Sequence, residues 1–150
     1  RLFIEIREKN GLSYYVRAGF DAYTDHGYLA AASGVDNERI EKAISIILNE
    51  YKKVKEELVP EPELKKAKEF IRGRLSIALE QSDDLASFYA NQWLLKNETL
   101  TPQEKLDKIM KVTAEDVKNV ASEIFRPEKL NLALIGPFED KEKFQKLLEI

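Results

Sequence analysis

RLFIEIREKNGLSYYV, residues 1–16, is the stretch on which the fold turns. Leu2, Phe3 and Ile6 share one apolar face, so residues 1–10 read as the C-terminal part of a helix. Gly11 follows directly, where a left-handed cap is wanted and a residue without Cβ adopts one without steric cost. The period then changes. SYYVRAGFDAY, residues 13–23, is rich in aromatic and β-branched residues and reads as a strand. TDHG at 24–27 is a turn, and YLAAASGV at 28–35 is a second strand built from small residues. A helix end feeding an antiparallel hairpin is the seed of an α+β fold.

Downstream the period is helical. Asp36 is expected to cap a long helix over residues 37–58, with Ile40, Ala43, Ile44, Ile47, Tyr51, Val54 and Leu58 as its core-facing stripe. Pro60 and Pro62 break it, and Pro62 suits the first turn of the next helix, which carries Leu64, Ala67, Ile71 and Leu75. A further helix spans about 83–96, with Leu85, Phe88, Tyr89 and Trp93 expected at packing positions. TPQE at 101–104 is a capping box, and TAED at 113–116 repeats the device with Asp116 in place of Glu. LNLALIG, 130–136, reads as a short apolar strand in the middle of a sheet, and a last helix follows over about 140–149. With strands this far apart in sequence, α+β is the natural class: an antiparallel sheet with helices packed on one face. The whole of residues 1–150 is expected to form a single α+β domain. Three strands are few for so much helix, so further strands are expected upstream or on a partner.

Composition removes several kinds of chemistry. The chain has 150 residues, enough for one domain, with 43% hydrophobic and 34% charged residues. The net charge of −3, from 24 basic and 27 acidic residues, gives no basic footprint for nucleic acid. No apolar run is long enough to span a membrane. There is no cysteine, which excludes disulfides, thiol catalysis and thiolate metal sites. The one histidine, His26, cannot by itself supply the two or three imidazoles of a usual zinc site. The sequence does not fix a compartment; the lack of cysteine and of a signal-peptide pattern favours a soluble, cytoplasmic location only slightly.

The ordered blocks across the chain resemble the insulinase/pitrilysin family of zinc peptidases, which includes mitochondrial processing peptidase. The resemblance rests on Arg7, then Gly11-Leu12-Ser13 and Tyr14, seven residues after the arginine. It continues through the Asp25-x-Gly27 turn, the helix start at Asp36, VPEPELKKAKE, and TAEDVKNVASEIFRPEKLNLALIGP. The family is built from paired α+β halves. One half bears a His-x-x-Glu-His zinc motif; the other has lost it and closes over the substrate. The resemblance implies that this chain is the second, metal-free C-terminal half, truncated at its N-terminus relative to a half of about 200 residues. It implies zinc on the partner half and none bound here, with that half lying in the same polypeptide or a separate subunit. A peptide is the implied substrate, and proteolysis by this chain alone is not expected. It assigns Arg7 and Tyr14 as donors to the peptide near the scissile bond, with no catalytic residue in this chain.

Those residue types suit that role. Zinc hydrolysis of a peptide passes through a tetrahedral species with negative oxygen, and a guanidinium and a phenol both donate to substrate carbonyls or to that oxygen. Residue by residue, plainer readings stand beside this one. Arg7 also reads as a charge compensating a helix C-terminus, since Glu5 and Glu8 lie at spacings that do not face it. Tyr14 and Tyr15 must point to opposite faces of a strand, one into the core and the other to solvent; the resemblance selects Tyr14 as the functional one and leaves Tyr15 to packing. His26 reads as a solvated turn residue, and Asp83, Asp84, Glu61 and Glu63 as helix-start acids. A scaffold or interaction subunit of the same fold, without proteolytic role, is the alternative function.

Overall fold

The opening segment winds more widely than an α-helix. In the computed structural model, which describes all 150 residues, Phe3–Lys9 form a π-helical stretch. At its end the Gly11 N–H returns to the Arg7 carbonyl at 3.1 Å and the Leu12 N–H reaches back to Ile6 at 2.9 Å. Gly11 takes a φ of 55°, the left-handed conformation its position after the helix requires. The hairpin follows as β1 (Tyr15–Ala22) and β2 (Gly27–Gly34), which form a two-stranded antiparallel sheet. The Tyr23 N–H closes its tip on the His26 carbonyl at 2.8 Å.

The helices are α1 (Ile40–Glu56), α2 (Glu61–Ala78), α3 (Ser82–Lys96), α4 (Pro102–Lys111), α5 (Ala114–Ile124) and the short α6 (Lys141–Gln145). The chain forms two compact units: residues 1–21, 27–57 and 118–150 make the first, and residues 22–26 and 58–117 the second.

In the first unit α1 serves two apolar clusters. Ala43 packs with Leu2, Ile6 and Leu12, joined by Val16, Ala31, Val35, Ile47 and Tyr51. Ile44 and Leu48 pack with Phe144, joined by Ile40, Leu130, Leu134 and Leu148. The spacing of four within Ile40, Ile44 and Leu48 places them in one row, and Ala43 and Ile47 form the neighbouring row. Full burial of a Leu or Ile side chain, as for Ile6, Leu12, Ile44 and Leu48, contributes about 1.5–3 kcal/mol. Glu50 is also buried and pairs with Lys53; that hydrogen bond raises the lysine's pKa above its ordinary value.

The second unit buries fewer side chains. Lys68 of α2 donates to the Met110 carbonyl of α4 at 2.9 Å. On α3 the inward residue is polar: Gln92 donates to the Phe88 and Leu100 carbonyls and accepts from the Leu100 N–H, each at 3.2 Å. Replacing it by an isosteric apolar residue, Gln92→Leu, strands both backbone groups of Leu100. The expected cost is ~1–3 kcal/mol, read from the urea midpoint of the chain.

Both capping boxes are present. Thr101 and Glu104 exchange bonds of 3.2 and 2.7 Å between side chain and backbone, and Thr113 and Asp116 do so at 3.1 and 2.8 Å. The backbone N–H of the threonine, then its hydroxyl, holds each carboxylate's pKa below its ordinary value. A lowered folded pKa stabilises above the unfolded pKa and is lost as pH falls through the folded one. Thermal stability should therefore decline below about pH 4, and a Thr101→Val, Thr113→Val double variant should show a shallower acid limb.

Several expectations need correction. LNLALIG, 130–136, is not a strand: the sheet has only β1 and β2, and no backbone N–H from Asn131 to Gly136 makes a backbone hydrogen bond. Apolar pattern can bury Leu130 and Leu134 against α1 and Phe144, but a strand also needs a ladder partner. Trp93 is not a core residue; it is 58% exposed. The inward position on α3 belongs to Gln92, and the next residue lies about 100° around the helix. Asp36 does not cap a helix with its side chain. A 3-10 turn, Asn37–Arg39, precedes α1, and the Asp36 carboxylate is taken by Arg39. The α+β class itself stands.

Candidate functional site

Arg7 sits in the last turn of the π-helical stretch with its guanidinium exposed, and Tyr14 lies in the bend just before β1. The turn at Gly11 brings them together. Arg7 Nη1 lies 3.4 Å from the Tyr14 carbonyl oxygen, and its Cζ lies 5.0 Å from the centroid of the Phe3 ring. The Tyr14 side chain is 92% exposed. Beneath them Ile6 is the most deeply buried large side chain, at 0% exposure, and Leu12 and Ser13 are buried on the other limb of the turn. The site is therefore two exposed polar side chains on a buried apolar floor.

The backbone between the two residues is pinned from several sides. The Ser13 hydroxyl accepts from the Tyr15 N–H at 2.9 Å and donates to the Tyr15 carbonyl at 2.5 Å. That carbonyl also accepts from Ser33 on β2 at 3.0 Å. Arg39 Nη1 donates to the Gly11 carbonyl at 3.1 Å while its Nε donates to Asp36 at 3.1 Å. Ser33 and Arg39 escape a sequence reading, because a contact spanning 18 or 28 residues leaves no local spacing to read. Tyr15 is not the core residue expected; it is half exposed, with Arg17 5.5 Å from its ring centroid.

The remaining candidates stay in their plain roles. His26 is exposed in the hairpin turn, with Nδ1 2.5 Å from Asp25 Oδ1 and its ring stacked on Tyr23 at 4.7 Å. Asp83 and Asp84 open α3, and Glu61 and Glu63 open α2. No group of three or more His, Cys, Asp or Glu side chains is arranged to hold a metal ion. No helix is long and apolar enough to cross a membrane.

Comparison with known proteins accords with this arrangement. Residues 1–71 match the family described as "Peptidase M16 inactive domain". An uncharacterized zinc protease of Streptomyces coelicolor is 29% identical over 144 residues, covering 95% of this chain and 31% of that protein. A chain of Complex III from Candida albicans shares the fold with a TM-score of 0.72 at 18% identity, covering 82% of this chain and 29% of the other. A protease of Helicobacter pylori aligns with a TM-score of 0.66 at 25% identity, covering 83% of this chain and 30% of the other. The chain spans about a third of the length of the curated relatives it matches. The helix–glycine–tyrosine turn and the hairpin both lie within residues 1–71, so this part of the chain is similar to the inactive domain of M16 peptidases, and the chain shares its fold with the two solved structures.

Proposed function

We propose that this domain is the substrate-gripping, metal-free half of a zinc endopeptidase, and that Arg7 and Tyr14 donate hydrogen bonds to the peptide beside the scissile bond. The observation that carries this reading is the turn at Gly11, which sets the Arg7 guanidinium against the Tyr14 backbone and leaves both side chains open to solvent. A phenol that is 92% exposed contributes little to the fold, so packing gives no reason for a tyrosine there. The guanidinium is held only by an exposed contact of 3.4 Å and by the Phe3 ring, so its remaining donors are free to face a ligand.

In this reading the zinc belongs to a partner half, in the same polypeptide or a separate subunit, and residues 1–150 are the major part of one peptidase half. Donors on a separate half act only when the two halves close on a peptide, so closure couples binding to turnover. The Arg7 and Tyr14 donors would meet substrate carbonyl oxygen, and would bind it more strongly as negative charge develops there. A scaffold role would leave this exposed pair without a task. The reading is tested by turnover of the assembled protease carrying Arg7→Ala or Tyr14→Phe. Lost turnover with the fold intact supports it, and full turnover in both variants removes it.

A further inference from the structure

The turn between Arg7 and Tyr14 contains two peptide groups gripped on both sides. In the Tyr14–Tyr15 peptide the carbonyl faces Arg7 at 3.4 Å, while the N–H donates to Ser13 Oγ at 2.9 Å. In the Gly11–Leu12 peptide the N–H donates to Ile6 at 2.9 Å, while the carbonyl accepts from Arg39 Nη1 at 3.1 Å. The first grip is local. The second comes from a residue 28 positions away, beyond the whole hairpin.

We infer that Arg39 is a positioning residue for the Arg7–Tyr14 pair, and that the Asp36–Arg39 fork is the brace holding the turn in the conformation that presents both donors. The inference rests on the site reading above and deepens it. A guanidinium has a planar set of five donors, so one arginine can serve two acceptors in fixed directions at once. Here Nε and Nη2 face Asp36 Oδ2, and Nη1 faces the Gly11 carbonyl. Asp36 itself is fixed from below, because the Arg39 N–H donates to its carbonyl at 2.9 Å in the 3-10 turn. That turn leads into α1, which buries Ala43 against Ile6 and Leu12. The brace thus ties the left-handed residue Gly11 to the helix that carries the core of its unit. Gly11 is also the residue with the most conformational freedom to lose, with open space where a Cβ would stand. Without an external grip its peptide can rotate, and Tyr14, three residues on, moves with it.

An ion pair at this exposure would contribute little to global stability, so removing Arg39 should loosen the turn without unfolding the chain. The decisive readout is amide hydrogen exchange in the full 150-residue chain. Arg39→Ala should speed exchange at Leu12 and Tyr15 about tenfold or more while the α1 amides keep their protection. Asp36→Asn, which keeps size but weakens the fork, should give a smaller acceleration at the same two amides. Arg39→Lys, with a single-point donor, should restore part of the protection. Unchanged exchange at Leu12 and Tyr15 in both Arg39→Ala and Asp36→Asn would overturn the inference.

The second arm is a double-mutant cycle in the assembled protease. Arg39→Ala should lower kcat about tenfold with little change in KM, and Tyr14→Phe should cost a smaller factor in that background than alone. Equal cost in both backgrounds would also overturn the positioning role. If Tyr14→Phe and Arg7→Ala cost nothing in the otherwise native protease, the site reading fails, while the exchange arm still decides whether Arg39 braces the turn.

Discussion

Arg7→Ala should lower kcat of the assembled protease about 10²–10³-fold, equivalent to ~2.7–4 kcal/mol of transition-state stabilisation, while leaving the unfolding midpoint of this domain unchanged. A donor aimed at developing negative oxygen in a closed, dehydrated cleft is worth far more than the same donor in water. The same side chain contributes little to folding, because its carbonyl contact is long and exposed and its aromatic contact is at the surface. Tyr14→Phe removes one hydroxyl from a side chain 92% exposed, so it too should reduce turnover without a stability change. Arg7→Lys should recover only part of the loss, since a point charge replaces a planar fork. Steady-state kinetics beside thermal unfolding of the same variants distinguish this from a folding defect. A fall in kcat with KM constant marks an interaction made in the transition state, and a rise in KM alone marks plain substrate binding.

The second large effect concerns the floor of the site. Ile6 is fully buried among Leu2, Leu12 and Ala43, and its carbonyl receives the Leu12 N–H. Ile6→Ala trims a packed side chain to a single methyl and should destabilise the chain by ~2–5 kcal/mol, against ~0.5–1.5 kcal/mol for Ile6→Val. Urea unfolding followed by far-UV circular dichroism measures both. A cost below about 1 kcal/mol for the alanine would mean that the turn collapses into the gap and that the floor is not rigid. The contrast with Arg7 is useful: neighbouring residues are expected to divide cleanly, one governing stability and the other turnover.

What the sequence discloses and what it hides follow one physical division. The positive φ at Gly11, the hairpin and the two capping boxes each depend on residues within a few positions of one another, and each forms as expected. The contact of the Arg7 guanidinium with the Tyr14 backbone carbonyl is likewise short in range, since a single turn separates the two residues. Leu130–Gly136 has the composition of a strand, but a strand exists only with a ladder partner, and composition does not say whether one is there. Trp93 departs from expectation by one residue of helical phase, because the buried position on α3 is held by a glutamine whose partners are backbone groups. An acid before a helix usually caps it, but the Asp36 carboxylate serves Arg39 instead. The long-range contacts of Ser33 and Arg39 depend on how β2 and the turn before α1 return to the first turn, which no local rule encodes.

The wide winding of Phe3–Lys9 also sets an angular phase. Each residue in such a coil advances around the axis by less than it would in an α-helix. The bearing of Arg7 relative to the buried side chains of Leu2 and Ile6 is therefore a property of the coil as well as of sequence position. Overwinding this one stretch to ordinary α geometry would swing the guanidinium around the axis while every residue kept its identity. If Arg7 grips a peptide as proposed, that grip would be lost through a change of pitch alone, with no side chain altered.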